Sequence, residues 1–414
     1  MAERSTKWQT TGRSFLVRRL FLCYLLPMKS GISPSPRSVF LALVFFSRAM
    51  AQAQDSDGFW IKQGSGSWAS AGNWDGNIIA DGTDNTAYFG LSFFATIPSN
   101  AAFTLDGART IGHLYFTAQS GPDNWSLNTG TGGPLTLDST FDYPSVNVNY
   151  ASQQVTVNVV LAGTGGLEKL GPGTLLLTAT NTFAGITTVS GGTLWVNGWI
   201  GADGINVASG TLGGIGVIAG PVTVQAGSML APGNPLGTLT ISNSLALQSG
   251  STTFVEVNAS TLGHDTVKGV SALSYGGTLM LSNLAGTLAP GQSFPIFNST
   301  SASGNFSSLT PQLSGGLRWR FDPASGVLSV VSTNLQPKIA SIVLSGGNLI
   351  LQATNGVPGA TNFVLASTNL LLPRTNWTRL ATNVFDASGN LSFTNTVSSS
   401  GAQRFFLISI PAPP

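Results

Sequence analysis

The chain has 414 residues, 51 of them glycine and one of them cysteine, and only 8% are Asp, Glu, Lys or Arg. Ordinary globular domains carry about 25% charged residues, and a hydrophobic share of 42% excludes a disordered chain. The net charge of +2 hides an asymmetry: the first 53 residues hold eight of the 18 basic residues and only Glu3 among the acids, so the remaining 10 basic and 15 acidic residues offer no electrostatic footprint for nucleic acid or anionic lipid.

Residues 1–53 read as an export leader. Lys29 and Arg37 precede the apolar run Val39 to Phe46, and an Ala-x-Ala exit is given twice over by Ala49, Ala51 and Ala53. That run is far too short to span a bilayer, so the mature chain is expected to have no transmembrane helix. Cleavage is expected after Ala51 or Ala53, with Ala53 taken as the site. Arg18-Arg19 resembles a twin-arginine signal, but its apolar stretch stops at Pro27, so Met28 is the expected start. Cys23 lies in this leader, which leaves the body without a disulfide.

The segment 54–154 opens with Trp60, Trp68 and Trp74, followed by short strand candidates around Ala87 and over Thr104 to Ile111. It reads as the beginning of a β-solenoid. The three tryptophans allow two readings, a hydrophobic plug for the end of the stack or a platform for sugar rings. They are the candidate glycan-stacking residues. Asp55, Asp57, Asp75, Asp81 and Asp84 carry oxygen ligands suited to Ca²⁺ but match no complete calcium loop, and no metal is expected. His113, within Ile111 to Phe116, reads as strand packing.

From about residue 130 to 290 a phrase recurs, Gly, a small residue, then Leu, starting at Gly133 and returning at Gly173, Gly192, Gly210, Gly227, Gly237 and Gly277. The gaps are 40, 19, 18, 17, 10 and 40 residues, a degenerate repeat of roughly 18–20 residues, in the range of solenoid coils. A strand such as Thr174 to Thr178 places alternate side chains on opposite faces, and glycine at its entry permits a tight corner. One coil cannot close a core. Stacked coils at about 4.8 Å pair every backbone group with the coil above and below. The scarcity of charge fits, because like charges in register would repel.

Beyond Ser332 to Pro337 the composition shifts, and six strand candidates between Ile339 and Ile410 predict a small β-sandwich-like module over 338–414. Covering the open end of the solenoid is one role for it.

The search for chemistry returns little. His264 and Asp265 are adjacent, so on a strand they point apart, and a turn is the expected setting. Glu168 and Lys169 read as an ion pair at a coil edge. Arg318 and Arg320, flanking Trp319, share a strand face that would hold an acidic sugar or be simply solvated. Gly213 to Ile218 is similar to a Ca²⁺-binding nonapeptide but has Ile where Asp is needed. No nucleophile elbow, His-Glu-x-x-His or phosphate loop occurs. No catalytic residue and no cofactor are expected.

Gly163 to Gly198 closely resembles the autotransporter-associated β-strand repeat of bacterial surface proteins. The match runs through Leu167-Glu-Lys169-Leu-Gly171-Pro-Gly173-Thr-Leu, then Asn181-Thr-Phe183-Ala-Gly185, then Gly191-Gly192-Thr-Leu. The resemblance extends well over 155–335 and loosely over 58–154. It implies a right-handed parallel β-helix with surface, adhesion or matrix roles. Autotransporters end in a membrane β-barrel, whereas this sequence ends in Ile410-Pro-Ala-Pro-Pro with no room for one, so self-transport is not implied. The sequence therefore predicts an exported all-β protein: leader 1–53, solenoid start 54–154, repeat solenoid 155–335 and C-terminal module 338–414. It would be structural or adhesin-like and non-catalytic, placed at the cell surface, outside the cell or in the periplasm. Its partners would be extracellular polysaccharide or other surface components, not nucleic acid. A glycan-binding or glycan-cleaving β-helix is the alternative.

Overall fold

The computed structural model describes residues 56–90, 100–117, 124–201, 203–333, 336–396 and 403–410. The expected start at Met28 and the cleavage site Ala53 lie outside them. Among the described residues no helix is long and apolar enough to cross a membrane, and the regular structure is almost wholly β.

Two long sheets, of 16 and 11 strands among the described residues, form a parallel β-helix. Successive coils give one strand to each. The coil carrying Leu167–Leu170 and Thr174–Leu177 is followed by Thr187–Val189 and Thr193–Val196, then by Ile205–Val207 and Thr211–Gly214. Each strand has an alternating burial pattern, so its apolar positions face the interior. In register, Leu175 lies on Leu194, Leu194 on Leu212, and Leu212 on Leu230, and all four are fully buried. Thr174, Thr193 and Thr211 stack in the adjoining column. Burying such a leucine contributes about 1.5–3 kcal/mol, and every coil repeats the gain.

Five of the seven glycine phrases enter strands of the 11-stranded sheet. Those of Gly133 and Gly237 instead enter Leu135–Leu137 and Thr238–Ile241, which pair within the 16-stranded sheet. The phrase of Gly237 accounts for the short gap, and the stretch from Gly227 to Gly277 includes the coil of Thr252–Val257, which lacks the phrase. Glycine is required at the corners for a reason beyond backbone freedom. At Gly192 φ is +61°, and a Cβ would stand 2.3 Å from the carbonyl oxygen of Gly173, one coil below. At Gly210 a Cβ would stand 2.3 Å from the carbonyl oxygen of Gly192.

Both ends of the core are plugged by aromatic rings. Trp60, Trp68, Trp74, Phe89 and Phe103 fill the first coils. At the other end Tyr275, Phe297, Phe306 and Phe321 pack together. An antiparallel sheet of Ser293–Pro295, Val327–Ser332 and Leu317–Asp322 adds Phe294, Trp319, Leu328 and Val330 to the same core. Residues 293–332 thus close over this end of the core.

Residues beyond 336 form two three-stranded antiparallel sheets. Leu351, Ala353, Leu391 and Phe393 of one share a separate core with Val364 and Ile408 of the other, together with Phe385.

Candidate functional site

The three tryptophans expected as sugar platforms are fully buried. The Trp60 and Trp74 rings meet edge-on with centroids 5.2 Å apart, and those of Trp68 and Trp74 lie 5.3 Å apart. Each indole N–H donates to a backbone carbonyl: Trp60 to Lys62, Trp68 to Ala80 and Trp74 to Trp68. Satisfied within the fold, they leave no face for a ligand. The aromatics that do face outward are their strand neighbours. Phe59 stacks on Tyr88 with centroids 4.6 Å apart, and Tyr115 follows at 5.7 Å from Tyr88. This ladder was readable from alternation, since Phe59 precedes the buried Trp60, and Tyr88 precedes the buried Phe89.

The acidic residues of the first coils hold backbone and loops. Asp57 accepts the Thr86 N–H, and Asp81 accepts the Thr110 N–H while pairing with Arg109 at 2.7 Å. Asp84 accepts the N–H of Thr140 at 2.6 Å and the hydroxyls of Thr140 and Ser139, which hold its carboxyl below the usual range. The Asp84 contacts hold the start of the loop that exposes Phe141 and Tyr143.

His113 has more company than a packing residue needs. Its Nδ1 lies 2.9 Å from Ser145 Oγ, and its Nε2 lies 3.4 Å from an oxygen of Asp142. The three types are those of a serine hydrolase triad. Ser145, however, is only 8% exposed, and Asp142 also accepts from Ser139. His264 is half-buried, its ring edge-on to Phe294, with Nδ1 2.9 Å from the Leu262 carbonyl. Asp265, beside it, is fully buried and accepts the N–H groups of Gly237 and Glu256. Burial, only partly offset by those two bonds, pushes its carboxyl up to about 7. Arg320 donates to the Ala387 carbonyl at 3.3 Å.

Glu168 and Lys169 do not form a coil-edge pair. On a strand adjacent residues face opposite ways. Glu168 turns outward and accepts from Ser190 Oγ at 2.6 Å, whereas Lys169 is fully buried. Its Nζ donates to the carbonyls of Leu170, Gly171 and Gly191 at 2.8, 2.9 and 3.1 Å. Burial pulls its ammonium down to about 8. Asn181 behaves in the same way. Its Oδ1 accepts the Leu161 N–H from the coil below, and its Nδ2 donates to the carbonyls of Ala179 and of Trp199 in the coil above. The polar residues of the repeat therefore bind the backbone of neighbouring coils.

Residues 167–196 match the family model of the passenger-associated-transport-repeat. The chain is 39% identical over 92 residues to an adhesin, the BmaC autotransporter of Brucella suis biovar 1 (strain 1330), covering 22% of this chain and 3% of that protein. It is also 39% identical over 97 residues to an extracellular serine protease of Serratia marcescens, covering 23% of this chain and 9% of that protein. The chain thus spans less than a tenth of the length of these curated relatives.

Proposed function

We propose that this chain, as a carrier of the passenger-associated transport repeat, is an exported, surface-displayed, adhesin-like β-solenoid that acts by binding. The observation that carries the reading is the fate of the repeat's polar residues. Lys169 and Asn181 are spent on backbone carbonyls and amides of adjacent coils, which supports an architectural role for the matched segment. The adhesin relative supports the same role. In this reading the leader is cut at Ala53, and 338–414 is a module distinct from the solenoid. Fractionation of cells expressing a tagged chain, with protease shaving of intact cells, tests it. Loss of the tag on shaving is expected, and a chain confined to the cytosol would sink the proposal.

A catalytic reading has one observation in its favour, the Ser145, His113 and Asp142 arrangement. A nucleophilic serine must meet its substrate and needs donors for the developing oxyanion, and Ser145 lies almost wholly beneath its neighbours. A fluorophosphonate probe is expected to leave Ser145 unlabelled. Labelling that disappears in both Ser145→Ala and His113→Ala would make the protein a hydrolase.

A further inference from the structure

The C-terminal module contains a cleft that the solenoid reading does not use. It lies on the strands Asn348–Thr354, Leu391–Thr396 and Thr378–Val384 and the loop that follows the last of them. Its volume is about 580 Å³, within the range of small-molecule sites. The polar groups lining it are Gln352, Thr354, Asn383, Asp386, Asn390 and Ser392.

One residue of the cleft's lining belongs to an under-satisfied pair. Asn383 lies opposite Asn362 across the strand pair. Asn362 shares the inward phase of Val364, is fully buried, and has no hydrogen-bond partner on either Oδ1 or Nδ2. The Nδ2 of Asn383 is likewise enclosed and unpaired. Burying an amide without partners costs about 1–3 kcal/mol per group. Few native groups are left so; of the two residues, only Asn383 lines the cleft.

The lining also selects the chemistry of that partner. It offers three amides and two hydroxyls, each able to donate and to accept. Asp386 is the only charged side chain, and the N–H groups of Asn390 and Ser388 hold its carboxyl below the usual range, fully ionised. No cation lines the cleft to receive an anionic sugar, phosphate or sulfate. A ligand whose hydroxyls both donate and accept, and which carries no negative charge, matches this set. We propose that the cleft is a binding site for a neutral carbohydrate. The proposal deepens the adhesive reading and rests on it, by giving the surface protein a ligand class and a place to hold it.

The purified full chain, run on native gels containing neutral polysaccharides (a glucan, a xylan and a galactomannan) or the anionic alginate, tests this. Retardation by at least one neutral polymer is expected. It should weaken about tenfold in Gln352→Ala combined with Asn390→Ala, as for the loss of one or two hydrogen bonds. Both side chains lie at the exposed rim, so the fold survives the change, and Asn383→Ala extends the test to the under-satisfied pair. Retardation by alginate alone, or by neutral polymers but equally in the rim variant, would overturn the proposal, as would no retardation at all. Protease shaving reads the adhesive role separately, so a chain that binds the gel yet stays in the cytosol removes that role and leaves the cleft.

Discussion

The ammonium of Lys169 donates to the carbonyl of Gly191 across 3.1 Å, from one coil to the next, while Val146 and Val189 hold the equivalent inward positions directly below and above it. A lysine thus stands in a valine column, and what makes this tolerable is three carbonyls converging on one Nζ. Removing it leaves those carbonyls without that donor but also relieves the desolvation of a buried charge. The orphaned carbonyls are the larger effect, because the corner that aims them is fixed by the coil. Lys169→Met is expected to lower stability by about 1–3 kcal/mol, read as a fall in the urea midpoint. A variant as stable as the parent would show that desolvation dominates.

The corner glycines give a second, steric prediction. Gly192 and Gly227 both have positive φ, but a Cβ at Gly227 meets nothing within 4 Å, whereas at Gly192 it meets the Gly173 oxygen. Strain is common to both alanine variants, and collision belongs to one. Gly192→Ala is expected to cost about 2 kcal/mol or more, and Gly227→Ala about 1 kcal/mol. Equal costs would mean that the stack parts freely at its corners.

Period and turn chemistry made the solenoid legible, because alternation with glycine at fixed entries has few other solutions. They did not reveal which sheet each phrase joins. Gly237-Thr-Leu reads like Gly192-Thr-Leu, yet its strand pairs with Thr266–Tyr275 of the larger sheet, a choice made by corner geometry. By charge Glu168 and Lys169 read as an ion pair, but phase decides: Lys169 is two residues from the buried Leu167 and shares its face. Asn362 carried no signal at all, since an isolated Asn in a strand looks like any solvated position.

Asp265 supplies a pH dependence. An unfolded aspartate releases its proton near 3.8, whereas burial holds the folded one until about 7. Between those values the folded state binds more protons than the unfolded state, so this group's contribution to stability declines as pH rises from about 4 to about 7 and is then level. Thermal melts should show Tm of the parent falling across that window relative to Asp265→Asn, which cannot titrate. Parallel curves for the two proteins would place the folded carboxyl in the ordinary range.

The buried tryptophans are the last test, because they separate a plug from a platform. Trp68 is enclosed by Trp74 and Phe89 and donates to the Ala80 carbonyl, so Trp68→Ala opens a cavity and orphans an acceptor. A loss of about 3–5 kcal/mol is expected. The outward Tyr115 packs on Tyr88 and lies in register with Asn147 on its other side, and Tyr115→Ala should cost about 1 kcal/mol or less. Denaturant titrations of the two variants measure this contrast directly. If Trp68→Ala were the milder of the two, the first coils would not be sealed by their indoles, and the inward phase assigned to Trp60, Trp68 and Trp74 would have to be abandoned.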